Sequence, residues 1–89
     1  MKVLEKIVEV EKEGFFALFG QTVTIFALNY IWVGKLVGVN DTQIKLEKPK
    51  IVFETGAFNT KSYKTAESLP NDMYLRTSAI EAYGIVKEE

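Results

Sequence analysis

The chain of 89 residues has no cysteine and no histidine, two prolines and a single arginine. Lacking cysteine, it forms no disulfide. Lacking both residues, it offers no thiolate or imidazole for zinc, copper or iron. The same absences exclude Ser-His-Asp and Cys-His catalysis. No P-loop or GxGxxG spacing occurs, because the six glycines are dispersed at 14, 20, 34, 38, 56 and 84. Nor does any acid come with an evident partner: Glu9, Glu11 and Glu13 lie on a charged N-terminal segment, and Asp41 and Asp72 are turn residues. The expectation is a protein that is no enzyme and needs no metal or cofactor. Long apolar runs are also missing. The richest stretch, Val23 to Val39, is broken by Asn29, Gly34 and Lys35, so no membrane span is expected. The opening "MKVLEKIVEVEKEG" scatters charges among its apolar residues, unlike a secretory leader. A cytoplasmic location is expected, which the lack of cysteine suits.

What is present is apolar weight. Hydrophobic residues make up 47 % of the chain, with six Phe, four Tyr and one Trp. This length implies one domain over residues 1–89, and such a domain buries only roughly 60–65 % of its unfolded surface. With disulfides and metals excluded, self-association is the remaining route to stability, and the apolar load suits it. Net charge is −1, so a general polyanion binder is excluded. Between residues 45 and 64, however, five Lys (45, 48, 50, 61, 64) face only Glu47 and Glu54, a local +3. That stretch reads as a solvated loop or a weak phosphate-facing patch.

Val3, Leu4, Ile7 and Val8 recur at helical spacing, although "KIVEVE" taken alone also reads as a strand, and "FFALFG" ends in Gly20, so a helix is expected somewhere within 3–19. From Thr22 the period becomes 2. "TVTIFALNYIWVGKLVGV" predicts strands at Thr22–Leu28 and Tyr30–Val39 joined by a tight turn at Asn29. Gly34 and Gly38 mark bends in the second strand. "QIKLE" predicts a strand ended by Pro49, and "IVFETG" extends the sheet beyond it. Ala57 to Asp72 reads as a polar connection, followed by strands near 73–78 and 80–86 and a fraying "KEE" tail. A helix followed by about five short antiparallel strands describes a small, strongly bent SH3-like barrel, with an OB-like barrel as the alternative.

Laid out in this way, the chain resembles the Sm-like family over about residues 15–86, nearest to divergent Sm-like proteins of cyanophage origin. Gly34 matches the bend glycine of the family's first motif, and Asn40 falls at its turn Asp. "LRTSAI", Leu75 to Ile80, is similar to the second motif, with Thr77 where Gly is usual. Counted without gaps, the family's base-reading Asn falls on Ile44, which cannot bond a base. One deletion pairs "QIKL" with the family's "NLVL" and puts Gln43 there instead, keeping the strand's alternation.

The resemblance implies a homo-oligomeric ring of about five to seven subunits. It implies single-stranded RNA bound near the pore by Arg76 and Gln43, with Asn40, Thr42 and Thr77 beside them, and no bond chemistry. If the chain is phage-encoded, its setting is the host cytoplasm. Thr42 supplies no stacking ring, and the "YKH"-type motif of the bacterial RNA chaperones is absent. Tyr30, Trp32 and Phe26 read as core or interface residues, or else as stacking faces. Tyr83 reads as packing at the end of the last strand, within its own subunit or against a neighbour, and Arg76 equally as a pin across a subunit interface. A ring serving protein contacts after losing RNA binding is the alternative function.

Overall fold

The computed structural model describes residue 7 and residues 13–87. Of the helix expected within 3–19, the described part is one α-helical turn, Gly14–Ala17. The rest of that expectation lies largely on residues 3–6 and 8–12, outside the described residues. Gly20, at φ +80°, redirects the chain into the sheet.

Six strands follow: β1 (Thr22–Ala27), β2 (Ile31–Val39), β3 (Gln43–Glu54), β4 (Thr65–Ser68), β5 (Met73–Arg76) and β6 (Ile80–Gly84). A 3-10 turn, Thr77–Ala79, connects the last two. The protein is thus mainly β, one antiparallel sheet in the order β4-β3-β2-β1-β6, with β5 also pairing β3. Among the described residues no ladder joins β6 to β4 or β5. Where a closed barrel was expected, the hydrogen-bonded sheet is open.

The β1–β2 hairpin turns at Leu28, Asn29 and Tyr30, and Ala27 N donates to Tyr30 O across it at 3.1 Å. Beyond it, β2 bends at Gly34. Val33 faces Lys50 and Lys35 faces Glu47, so Gly34 stands opposite two residues, Lys48 and Pro49, in a β-bulge. Lys48 takes φ +52° there. A Cβ on Gly34 would sit 3.2 Å from Leu46 Cβ and 3.3 Å from Pro49 Cα, so only glycine fits without displacing β3. The bulge also accommodates a proline inside a central strand. The strand expected to end at Pro49 therefore continues unbroken through it to Glu54.

β4 and β5 lie end to end along β3. Lys50 to Glu54 pair with Ser68 to Thr65, and Gln43 to Leu46 pair with Arg76 to Met73. Leu69 N donating to Pro49 O at 2.9 Å bridges the gap. The polar connection expected over 57–72 accordingly contains a strand, Thr65–Ser68, in its second half.

The main core gathers the inward residues of β1, β2, β3 and β5: Val23, Ile25, Leu36, Ile44, Leu46 and Leu75. Each such side chain contributes about 1.5–3 kcal/mol by leaving water. β1 is buried on its other face as well. There Thr24, fully buried, shares a 2.5 Å hydroxyl hydrogen bond with Tyr63. Tyr63 packs with Val33 and Val52 in a second cluster. The loop carrying Tyr63 is held by Lys87, whose ammonium shares its three N–H donors among Ala57 O and Thr60 Oγ1 at 2.7 Å and Thr55 O and Ser62 O at 3.0 Å. Lys87 is only 3 % exposed. A buried charge is tolerated because oxygens replace its lost water. The tail expected to fray from Lys87 is instead anchored there, and Glu88 and Glu89 lie outside the described residues.

Candidate nucleic-acid interface

The site begins at the end of β2. Asn40 turns its side-chain oxygen back over the chain, where Oδ1 accepts from Thr42 N and Gln43 N at 2.9 Å and from Thr42 Oγ1 at 3.2 Å. Asn40 N donates in turn to Gln43 O at 2.9 Å. An Asn side chain can mimic a backbone turn in this way. The folded turn then docks on the 3-10 turn that follows β5. Thr77 N donates to Thr42 O at 2.9 Å, and Thr77 Oγ1 donates to Asp41 O at 3.2 Å.

This docking puts two segments more than thirty residues apart side by side, and β3–β5 pairing fixes their register. Gln43 stands directly opposite Arg76, and Ile44 opposite Leu75. Ile44 and Leu75 are buried in the main core. Alternation therefore sends Gln43 and Arg76 to the opposite face together, and both are exposed. Among the described residues neither side chain has a hydrogen-bond or ion-pair partner. With Asp41, Thr42, Thr77 and Ser78 they line an open cleft of about 540 Å³.

The five expected contact residues thus meet in one place and divide by role. Asn40, Thr42 and Thr77 spend their side-chain oxygens on building the turn. Gln43 and Arg76 remain exposed beside it: a guanidinium fork of five donors next to an amide with one acceptor and two donors. That pair can read the edge of a planar base while gripping a phosphate or carbonyl oxygen.

The expected lysine patch is spread along β3. Lys61 and Lys64 belong to the loop beyond Glu54, at the far end of β3 from Gln43, and Lys64 Nζ lies 3.6 Å from Glu54. Lys45 is nearer the site. Its pKa is raised chiefly by the neighbouring Tyr74, and then by Asp72, whose carboxylate lies 3.7 Å from the ammonium. Among the described residues no cluster of acids suited to a metal ion occurs, and no helix is long and apolar enough to cross a membrane.

The aromatic residues fall into two groups. Tyr30 and Trp32 meet edge to face at 6.1 Å; with Leu28, Tyr74, Arg76 and Ile80 they border an apolar groove of about 240 Å³. Phe15 and Tyr83 stack at 3.8 Å beside Phe16, next to Asp41 and Thr77. The first group was visible in the sequence as aromatic strand residues. The second joins the helical turn to β6, which no local pattern connects.

Comparison with protein-family models and with curated proteins returns no match.

Proposed function

We propose that this chain is an Sm-like protein that assembles into a ring and binds short single-stranded RNA without catalysing a reaction. The observation that carries this reading is the cross-strand pair Gln43 and Arg76, exposed, unpartnered among the described residues and set at one cleft by the docking of two turns. The bent sheet supports the architecture, with Gly34 at the bend. Open strand edges support assembly. Among the described residues, β4 and β5 pair only with β3, and β6 pairs only with β1. Adding β6 of one copy to the β4–β5 edge of the next hides both edges and propagates to a ring. A ring repeats the Gln43–Arg76 cleft once per subunit, and a strand touching several clefts gains avidity.

A second reading, a ring serving protein contacts without RNA, is favoured by the net charge of −1 and by the apolar groove between Leu28, Tyr30 and Tyr74. Native mass spectrometry with and without oligo(U) separates the two. The RNA reading expects one closed-ring mass that gains a single oligonucleotide, with affinity falling as salt rises by a log–log slope of about −0.7 per phosphate neutralised. It also expects Arg76→Ala to weaken RNA binding while the ring mass persists. A ring that ignores RNA supports the second reading, and monomers overturn both.

A further inference from the structure

A second cleft adjoins the Gln43–Arg76 cleft. Phe15, Phe16 and Tyr83 on one side and Val39, Asp41 and Thr77 on the other border an opening of about 300 Å³. Asp41 and Thr77 belong to the walls of both clefts. The two openings are therefore neighbours across a single rim, one polar and cationic, the other aromatic.

The aromatic side is preformed. The rings of Phe15 and Tyr83 lie 3.8 Å apart and 19° from parallel, and Phe15 packs against the main core. Tyr83 is 39 % exposed and Phe16 is 42 % exposed, so ring surface remains open to a ligand. Flat rings held by packing accept another flat ring at little entropic cost, and stacking tolerates any base because every base has a π-face. The shared rim selects which part of a nucleotide enters. Asp41 is exposed there, and its carboxylate accepts from base N–H groups while repelling phosphate. The cation lies on the other side, at Arg76.

Resting on the RNA reading above, we infer that Tyr83 and Phe16 form a base-stacking subsite contiguous with the Gln43–Arg76 cleft, so that each subunit holds two consecutive unpaired nucleotides. One base lies in the polar cleft with its phosphate toward Arg76. The next crosses the Asp41–Thr77 rim and stacks on the aromatic shelf. The shelf supplies the stacking surface that Thr42 does not. The groove at Leu28, Tyr30 and Tyr74 also touches Arg76, but it draws its walls from the hairpin turn, β5 and β6. It is bordered by neither Asp41 nor Thr77, so it does not share the rim that joins the other two clefts.

The test measures oligo(U) binding by fluorescence anisotropy across a salt series for the full-length protein and three variants. Tyr83→Leu keeps an apolar partner for Phe15, and Phe16→Ser changes a surface ring. Each of these two is expected to lower affinity roughly tenfold, as loss of one stacked base does, with the salt slope unchanged. Arg76→Ala is expected to make the slope shallower by about 0.7, the signature of one lost phosphate contact. Oligo(U) carrying 5-iodouridine is expected to photocrosslink to Phe16 or Tyr83. Wild-type binding that both aromatic variants leave intact, or crosslinks confined to Tyr30 and Tyr74, overturns the subsite while sparing the Gln43–Arg76 cleft. Aromatic variants that change the native mass of the RNA-free protein but not its RNA affinity make the shelf a contact between copies and overturn it too. A wild-type protein that binds no oligo(U) removes both readings at once.

Discussion

Gln43 and Arg76 are direct cross-strand partners at the end of the β3–β5 ladder, and the buried pair Ile44 and Leu75 beside them keeps both on the outer face. A one-residue slip of β3 would bury Gln43 and expose Ile44, at a cost the core would not tolerate. The amide and the guanidinium are therefore presented as a unit.

If the pair acts through the planar fork of arginine, charge alone does not replace it. Arg76→Lys is expected to retain the salt slope of RNA binding, because one cation remains, while affinity falls about tenfold through loss of the multiple fixed donors. Anisotropy titrations at several salt concentrations measure both quantities together. Full affinity in the lysine variant would reduce Arg76 to a point charge.

The turn that carries Gln43 depends on one acceptor atom. Asn40 Oδ1 takes three hydrogen bonds, and its amide donors take no part in them. Asn40→Asp preserves every acceptor role and should leave the thermal midpoint close to wild type. Asn40→Ala strands two backbone N–H groups and a hydroxyl in an exposed turn, with an expected loss of about 1–2 kcal/mol in denaturant unfolding. Equal behaviour of the two variants would show that the side-chain oxygen is not what shapes the turn.

How far the sequence revealed these features depended on whether their cause was local. β1 and β2 were legible to within a residue or so because their β-branched and aromatic residues alternate around Asn29. Gln43 was placed by the same alternation, carried from Ile44 to Leu46. Three features have non-local causes. "TAES" at Thr65–Ser68 has no strand pattern of its own; it is a strand because the far half of β3 offers it a ladder. Pro49 reads as a strand end, yet the bulge opposite Gly34 accommodates it. Lys87 reads as part of a fraying tail, but its oxygen partners come from a loop 25 to 32 residues earlier. The stacked pair Phe15 and Tyr83 was missed for the same reason.

The bend in β2 is testable against a glycine elsewhere. An added Cβ at Gly34 meets Leu46, Glu47 and Pro49 at 3.2–3.3 Å, whereas at Gly84 it meets nothing within 4 Å. Gly34→Val should destabilise by about 1–3 kcal/mol, the usual cost of overpacking. Gly84→Ala should be neutral, or stabilise by up to about 1 kcal/mol by restricting the unfolded chain. Urea unfolding of both variants checks the contrast, and similar midpoints would mean that the bend does not require glycine.

The anchoring of Lys87 yields the most demanding stability prediction. Its ammonium serves four oxygens of the 55–62 segment and lies 4.8 Å from the Tyr63 ring centre. Lys87→Met fills similar space but removes the ammonium, leaving Thr55 O to Lys64 N at 3.4 Å and Ala57 O and Ser62 O to the donors of Thr60. A loss of about 2–4 kcal/mol is expected, more than an exposed lysine could contribute. The damage should be local. Hydrogen exchange should accelerate across residues 55–64, where Lys87 holds the loop, while β1, β2 and the first half of β3 keep their protection. Because the loop lies at the far end of β3 from Gln43, RNA affinity should remain within about twofold of wild type, as additivity of distant sites requires. Uniform loss of protection across all strands would instead make Lys87 part of the cooperative core, and the tail would have to be counted among the elements that define the fold.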